Sequence, residues 1–162
     1  MAALARLLAT HAGAGRVTWI GVRAARLAEL VAVKEAELTE EGLVGDHARA
    51  GRRALTLIQA EHLPVIAALC RRDHVTPDLL RRNIVVEGIN LTALRHSRLV
   101  IGGVEIALTG PCPPCSRMEK ALGQGGYNAM RGHGGWYAEV IRPGRIRIGD
   151  TVVSKASEPP AA

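Results

Sequence analysis

At 162 residues the chain is sized for one domain, set against a usual span of roughly 100–200 residues each. A 48% hydrophobic composition supplies a core and excludes a disordered polymer, while two Trp, two Tyr and no Phe leave that core to aliphatic side chains and nearly exclude a base-stacking platform. Twenty-one Lys plus Arg, overwhelmingly Arg, against fifteen Asp plus Glu give +6, which favours an anionic partner; the basic residues come as scattered pairs, so nucleic acid is not indicated as a partner.

Residues 2–12 read as a short helix, and Gly13 and Gly15 then release the chain into a strand at Val17–Val22. Arg6 interrupts the apolar start, so the chain shows neither a membrane span nor a secretory signal. A second apolar segment lies near Val31–Val33, and Gly42-Leu-Val-Gly-Asp46-His47 forms a polar loop before a strand at Ala54–Ile58. From Glu61 to Arg72, Leu63, Ile66, Ala67, Leu69 and Cys70 recur at helical spacing, which places Cys70 in the core. Thr76-Pro77-Asp78 is a helix start, and Asn83–Glu87 is strand-like. Two strands flank Gly102-Gly103 as a hairpin. Trp136–Arg142 and Arg145–Thr151 suggest a second hairpin about Pro143-Gly144, with Ile146 and Ile148 on its buried face. Seven or so short strands with two or three helices favour a β-rich α+β domain built on a barrel-like sheet.

The chemistry concentrates in Thr109-Gly-Pro-Cys112-Pro-Pro-Cys115-Ser-Arg117-Met-Glu-Lys-Ala-Leu-Gly123. Ser116 and Glu119 have the spacing of a capping box, with Gly123 ending the helix and Cys115 just before it. Unpaired N–H groups there, and Arg117 nearby, favour a thiolate suited to sulfur transfer, metal ligation or nucleophilic attack. Cys112-Pro-Pro-Cys115 also has C-x-x-C spacing, which leaves a dithiol oxidoreductase open as an alternative. No second Cys pair exists for a structural zinc, so no zinc is expected. Three Cys without a secretion signal favour a reducing, cytoplasmic location. Two further patches suit an anion: Arg81-Arg82-Asn83, and the glycine-dense Gly125–Gly135 segment with Asn128, Arg131 and His133. The latter is read as a loop, and it matches neither a dinucleotide fingerprint nor a Walker loop. A basic nucleic-acid-binding module rests on charge alone.

Taken in order, Gly42-Leu-Val-Gly-Asp46-His47, Arg81-Arg-Asn83-Ile-Val, Gly88-Ile-Asn-Leu, Leu99-Val-Ile-Gly, Pro-Cys-Pro-Pro-Cys115-Ser-Arg and Gly144-x-Ile-x-Ile-Gly149-Asp150 resemble a MOSC domain, the C-terminal domain of molybdenum-cofactor sulfurases. The resemblance runs from about residue 16 to residue 153 and implies a small stand-alone bacterial-type member; outside it, 1–15 reads as a helical extension and 154–162 as a flexible tail. The resemblance implies a strongly bent, pyruvate-kinase-barrel-like β-barrel with a few peripheral helices. It also implies molybdenum-cofactor (molybdopterin) binding or sulfur carriage, with Cys115 bearing a persulfide or ligating molybdenum. Arg81, Asn83, Asp46 and His47 fall where relatives contact the cofactor, although the family's spaced histidine is absent. Arg117, Arg131, Asn128 and His133 are further candidates for the pterin phosphate or oxo groups, and Cys112 is a candidate resolving thiol. A cysteine desulfurase or other sulfur donor would carry any pyridoxal phosphate. Relatives that reduce N-hydroxylated compounds take electrons from flavin and iron–sulfur or haem partners.

Overall fold

The computed structural model describes residues 2–155. In chain order the elements are α1 (Ala2–Ala9), β1 (Gly15–Val22), β2 (Val31–Val33), β3 (Glu35–Thr39), β4 (Gly42–Leu43), β5 (Leu55–Gln59), α2 (His62–Leu69), β6 (Ile84–Glu87), a 3-10 turn (Leu91–Leu94), β7 (Arg98–Ile101), β8 (Val104–Pro111), α3 (Ser116–Leu122), α4 (Gly126–Met130), β9 (Trp136–Arg142), β10 (Gly144–Arg147) and β11 (Thr151–Lys155). No helix among the described residues is long and apolar enough to cross a membrane.

Seven strands close a barrel in the order β11-β7-β8-β9-β5-β6-β1, with β1 returning to β11 at Gly15↔Val152 and Arg16↔Thr151. Closure removes the open strand edges that a flat sheet would expose. The β5–β6 pair is parallel, and its crossover carries α2. Inside, Val17, Ile20, Leu57, Ile84, Val86, Leu99 and Ile106 are sealed from solvent in an aliphatic core. One stretch of wall is buried on both faces: Ile58 and Val85 point outward and pack under α2, α3 and α4 with Ile66, Leu80, Met118, Leu122 and Met130. Parallel strands covered on both sides read as continuous apolar runs, as Ile84-Val85-Val86 does.

Several sequence expectations change here. The hairpin across Gly102-Gly103 forms with Ile101↔Val104. The one across Pro143-Gly144 does not: β9 stays in the barrel, and β10 leaves it to pair with β3 in a separate three-stranded sheet. Ile146 is buried as its alternation requires, whereas Ile148 lies beyond the strand and is 46% exposed. Leu69 likewise faces solvent at the end of α2, while Cys70 packs against the outer core. The helix expected from Thr76 is only a turn. Arg81 N donates to Asp78 O at 3.0 Å and Arg82 N to Pro77 O at 3.1 Å, and Arg81 adopts φ +62°, which ends any helix. The first helix ends at Ala9 and not at residue 12. Part of the Gly125–Gly135 segment is α4 and not loop. Ser154 and Lys155 complete β11 and are not part of the tail expected at 154–162; residues 156–162 lie outside the described residues.

Candidate functional site

β8 delivers the cysteine segment. A register shift between Leu108 and Gly110 re-aims the strand end, and Arg52 secures it by donating to Thr109 O at 2.7 Å while Thr109 Oγ1 donates to Arg52 O. Cys112 N donates to Gly135 O at 2.9 Å and its side chain is buried, so burial pushes the thiol up while Arg82 and Arg53 pull it down.

From Cys112 the chain runs to Cys115 with no turn, bend or cis bond. Pro113 and Pro114 fix their own φ and push the preceding residues into extended conformations. At about 3.1 Å per residue, that separates the two Cα atoms by roughly 9 Å, beyond the roughly 7 Å limit for a disulfide. Both thiols are free.

Cys115 is the N-cap of α3, with φ −141° and ψ 163°; its carbonyl accepts from Met118 N at 3.0 Å and its side chain caps nothing. The thiol is therefore exposed and uncommitted. This corrects the expected capping box, because Ser116 is already the first helical residue. Glu119 instead reaches forward to accept from Gly125 N at 2.7 Å and Tyr127 N at 3.1 Å. Those bonds hold its carboxyl below the usual range and tie α3 to α4.

Two residues into α3, Arg117 is exposed and has no hydrogen-bond or salt-bridge partner among the described residues. With Arg81, Asp78, Glu29, Leu30 and Met118 it lines a cleft of about 320 Å³. Arg81 spans this cleft, donating to Arg26 O at 2.7 Å and Ala28 O at 3.2 Å. Burial pulls its pKa down first, then the charges of Arg23 and Arg117, with only Asp46 acting in the opposite sense. Asp46 reaches this group by accepting from Arg23 N at 2.9 Å, and His47 N donates to Arg23 O at 2.7 Å, which leaves the His47 ring exposed. Although Glu29 and Asp78 line the cleft, neither forms a salt bridge with either guanidinium. The lining thus carries two guanidiniums and two carboxylates with no salt bridge between them, and the guanidiniums keep donors free for an anionic group.

Asn83 is buried scaffold. Its Oδ1 accepts from Thr56 N at 3.2 Å and Thr56 Oγ1 at 3.0 Å, and its Nδ2 donates to Gly21 O at 3.1 Å, joining β1, β5 and the start of β6. Arg131 and Asn128 sit on or just after α4 and bond to each other at 3.3 Å, outside the lining of the Arg81 cleft. His133 also lies elsewhere, its ring edge-on to His62 at 5.4 Å. Arg23 escaped the sequence reading. It is a lone arginine after a strand, and only the folded Asp46 loop brings it to Arg81.

No group of three or more His, Cys, Asp or Glu among the described residues is placed to hold a metal ion. A metal at Cys115 would have one protein thiolate and take its other donors from a bound organic ligand.

The family model for the MOSC domain matches residues 44–153, more than half of the chain. Among solved structures, YuaD from Bacillus subtilis superposes with a TM-score of 0.76 at 18% identity, covering 88% of this chain and 96% of that one. YiiM from Escherichia coli gives a TM-score of 0.70 at 22% identity, covering 88% of this chain and 71% of that one. YiiM from Geobacillus stearothermophilus gives 0.70 at 16% identity, covering 87% and 75%. At these identities the likeness is one of fold. A search of curated proteins found no match. The barrel closed by β11 on β1, its helix-covered wall and the ordered motifs along it belong together with that family match: the chain is a member of the MOSC domain family.

Proposed function

We propose that this domain handles the molybdenum cofactor, with Cys115 either ligating molybdenum or carrying sulfur as a persulfide. The observation that carries the reading is an exposed, unpartnered thiol two residues from Arg117, on the helix that helps form the arginine cleft. The donor set fits: one soft thiolate suits molybdenum whose other ligands come from a pterin dithiolene and oxo groups. Arg117 and Arg81, with Arg23 behind them, supply positive charge for a pterin phosphate. Asp46 holds the Arg23 loop in register, and Asn83 positions Arg81 by pinning the strand that follows it. When bound, the cofactor supplies two-electron redox chemistry, which suits reduction of N-hydroxylated compounds with electrons from a flavin or iron–sulfur partner.

In the carrier role, sulfur arrives from a cysteine desulfurase or similar donor, which is where any pyridoxal phosphate resides. An external nucleophile then attacks the terminal sulfur of the Cys115 persulfide, the S–S bond breaks, and Cys115 leaves as a thiolate. Cys112 is too distant and too deeply buried to compete by forming an internal disulfide, which also counts against a dithiol oxidoreductase. Thiol chemistry of this kind belongs in a reducing cytoplasm.

The test is expression in a host that makes the cofactor, purification without reductant or chelator, and measurement of molybdenum and pterin per chain beside Cys115→Ser. Stoichiometric cofactor that is lost in the variant is expected for ligation. Cofactor absent from both, together with a persulfide on Cys115, selects the carrier. Absence of all three overturns the proposal.

A further inference from the structure

Gly132, Gly134 and Gly135 come from the glycine-dense segment, yet they do not line the Arg81 cleft. They form one wall of a separate cavity of about 250 Å³ at the barrel end where β5, β8 and β9 meet. Gly135 is required there, since φ is +88° and an added Cβ would collide with the Leu57 carbonyl oxygen. At Gly134 an added Cβ would press on Met130 O at 3.2 Å and Cys112 O at 3.3 Å.

The opposite walls are chemically selective. Cys112 and His62 face the cavity, and both are shifted toward their neutral forms: burial raises the thiol, while burial and the charge of His133 lower the imidazole against Glu61 and a backbone hydrogen bond at His133. Glu61 is itself occupied, accepting from Gln59 Nε2 at 3.3 Å and Gly88 N at 3.1 Å. No Asp or Glu lines the cavity. The fixed charge on its lining is Arg95, whose guanidinium sits 5.9 Å from the centre of the Trp136 ring and has no acceptor among the described residues. Arg82 approaches from behind and donates to Gly134 O at 2.6 Å. The site thus offers a positive rim, an aromatic face and uncharged hydrogen-bonding groups. Its volume falls below the roughly 300–1,000 Å³ of drug-sized pockets, which limits the occupant to about one ring.

We propose that this cavity binds a small planar organic monoanion, a single ring bearing a carboxylate, with the carboxylate on Arg95 and the ring against Trp136. The site is separate from the arginine cleft and does not depend on cofactor binding there. It gives Cys112 a place in a ligand pocket instead of a redox pair.

Isothermal titration of the full chain with benzoate, and with its neutral counterpart benzamide, tests this. Benzoate should bind at least about tenfold more tightly, because a charge-assisted pair is lost with the amide. Arg95→Gln should remove that preference, and Thr92→Trp, which fills the cavity from an exposed position, should remove binding of both. In proton–nitrogen spectra benzoate should shift the indole N–H of Trp136 and leave that of Trp19, which packs in the helix-covered wall. Equal affinity for the two probes, no benzoate binding at millimolar concentration, binding that survives Thr92→Trp, or a shift at Trp19 alone would each overturn the proposal. Molybdenum content measured on the same samples reports separately on the cleft.

Discussion

Cys112 and Cys115 are three residues apart and occupy opposite chemical settings. Cys112 is anchored to Gly135 and buried against a cavity it shares with His62; the Cys115 side chain caps nothing and is exposed, two residues before Arg117. Two prolines produce the difference by keeping the intervening backbone extended. The lesson is that C-x-x-C spacing predicts a dithiol only where the backbone between the cysteines can turn.

The sharpest way to break this contrast is oxidation. With diamide and glutathione, the native chain should form a mixed disulfide with glutathione at Cys115, leave Cys112 as a thiol and show no internal disulfide by peptide mapping. Replacing Pro113 and Pro114 together by glycine should release the constraint and let the disulfide form. An internal disulfide in the native chain would refute the extended-spacer argument.

Next in size is the scaffold beneath the cleft. Asn83→Ala removes three side-chain hydrogen bonds and strands the Gly21 carbonyl, so it should cost about 3 kcal/mol in denaturant unfolding. A loss well under 1 kcal/mol would show that Asn83 is held for ligand contact and not for stability.

Arg81 separates stability from binding. Its φ of +62° suits glycine, so Arg81→Gly should relieve backbone strain of about 1 kcal/mol and offset the lost bonds to Arg26 O and Ala28 O. Stability should then stay within about 1 kcal/mol of the native chain while affinity for inorganic phosphate in the cleft falls by about tenfold. Unchanged phosphate binding would remove Arg81 from the site.

Much of this division was legible in the sequence, within physical limits. Alternation around Ile146 identifies a buried face but carries no information about which neighbour covers it, so proximity in sequence points to β9 whereas the partner is β3. The Ser116 and Glu119 spacing describes one helix end, whereas Glu119 serves the next helix, through contacts six and eight residues away. Cys115 was legible because a proline-rich approach to a helix start is a local signal. Arg23 and the His62–His133 pair were not, because only the closed barrel and its helix layer bring such residues together.

The smallest effect concerns that histidine pair. Burial and His133 hold His62 below its ordinary 6.5, so the unfolded chain takes up a proton more readily than the folded one. Folding stability should therefore be complete above 6.5 and decline as pH falls through 6.5 toward the lower folded value. The ring is partly solvated, so screening reduces the effect to a fraction of a kcal/mol. Thermal midpoints measured at neutral pH and on the acid side of the histidine range should show a larger drop for the native chain than for His62→Gln. Because His62 lines the cavity, the same acidification should strengthen benzoate binding even as it lowers stability: a proton on His62 adds positive charge near the carboxylate. Parallel curves for native chain and variant would mean that His62 is as free to titrate folded as unfolded, and that the cavity wall is wetter than its packing indicates.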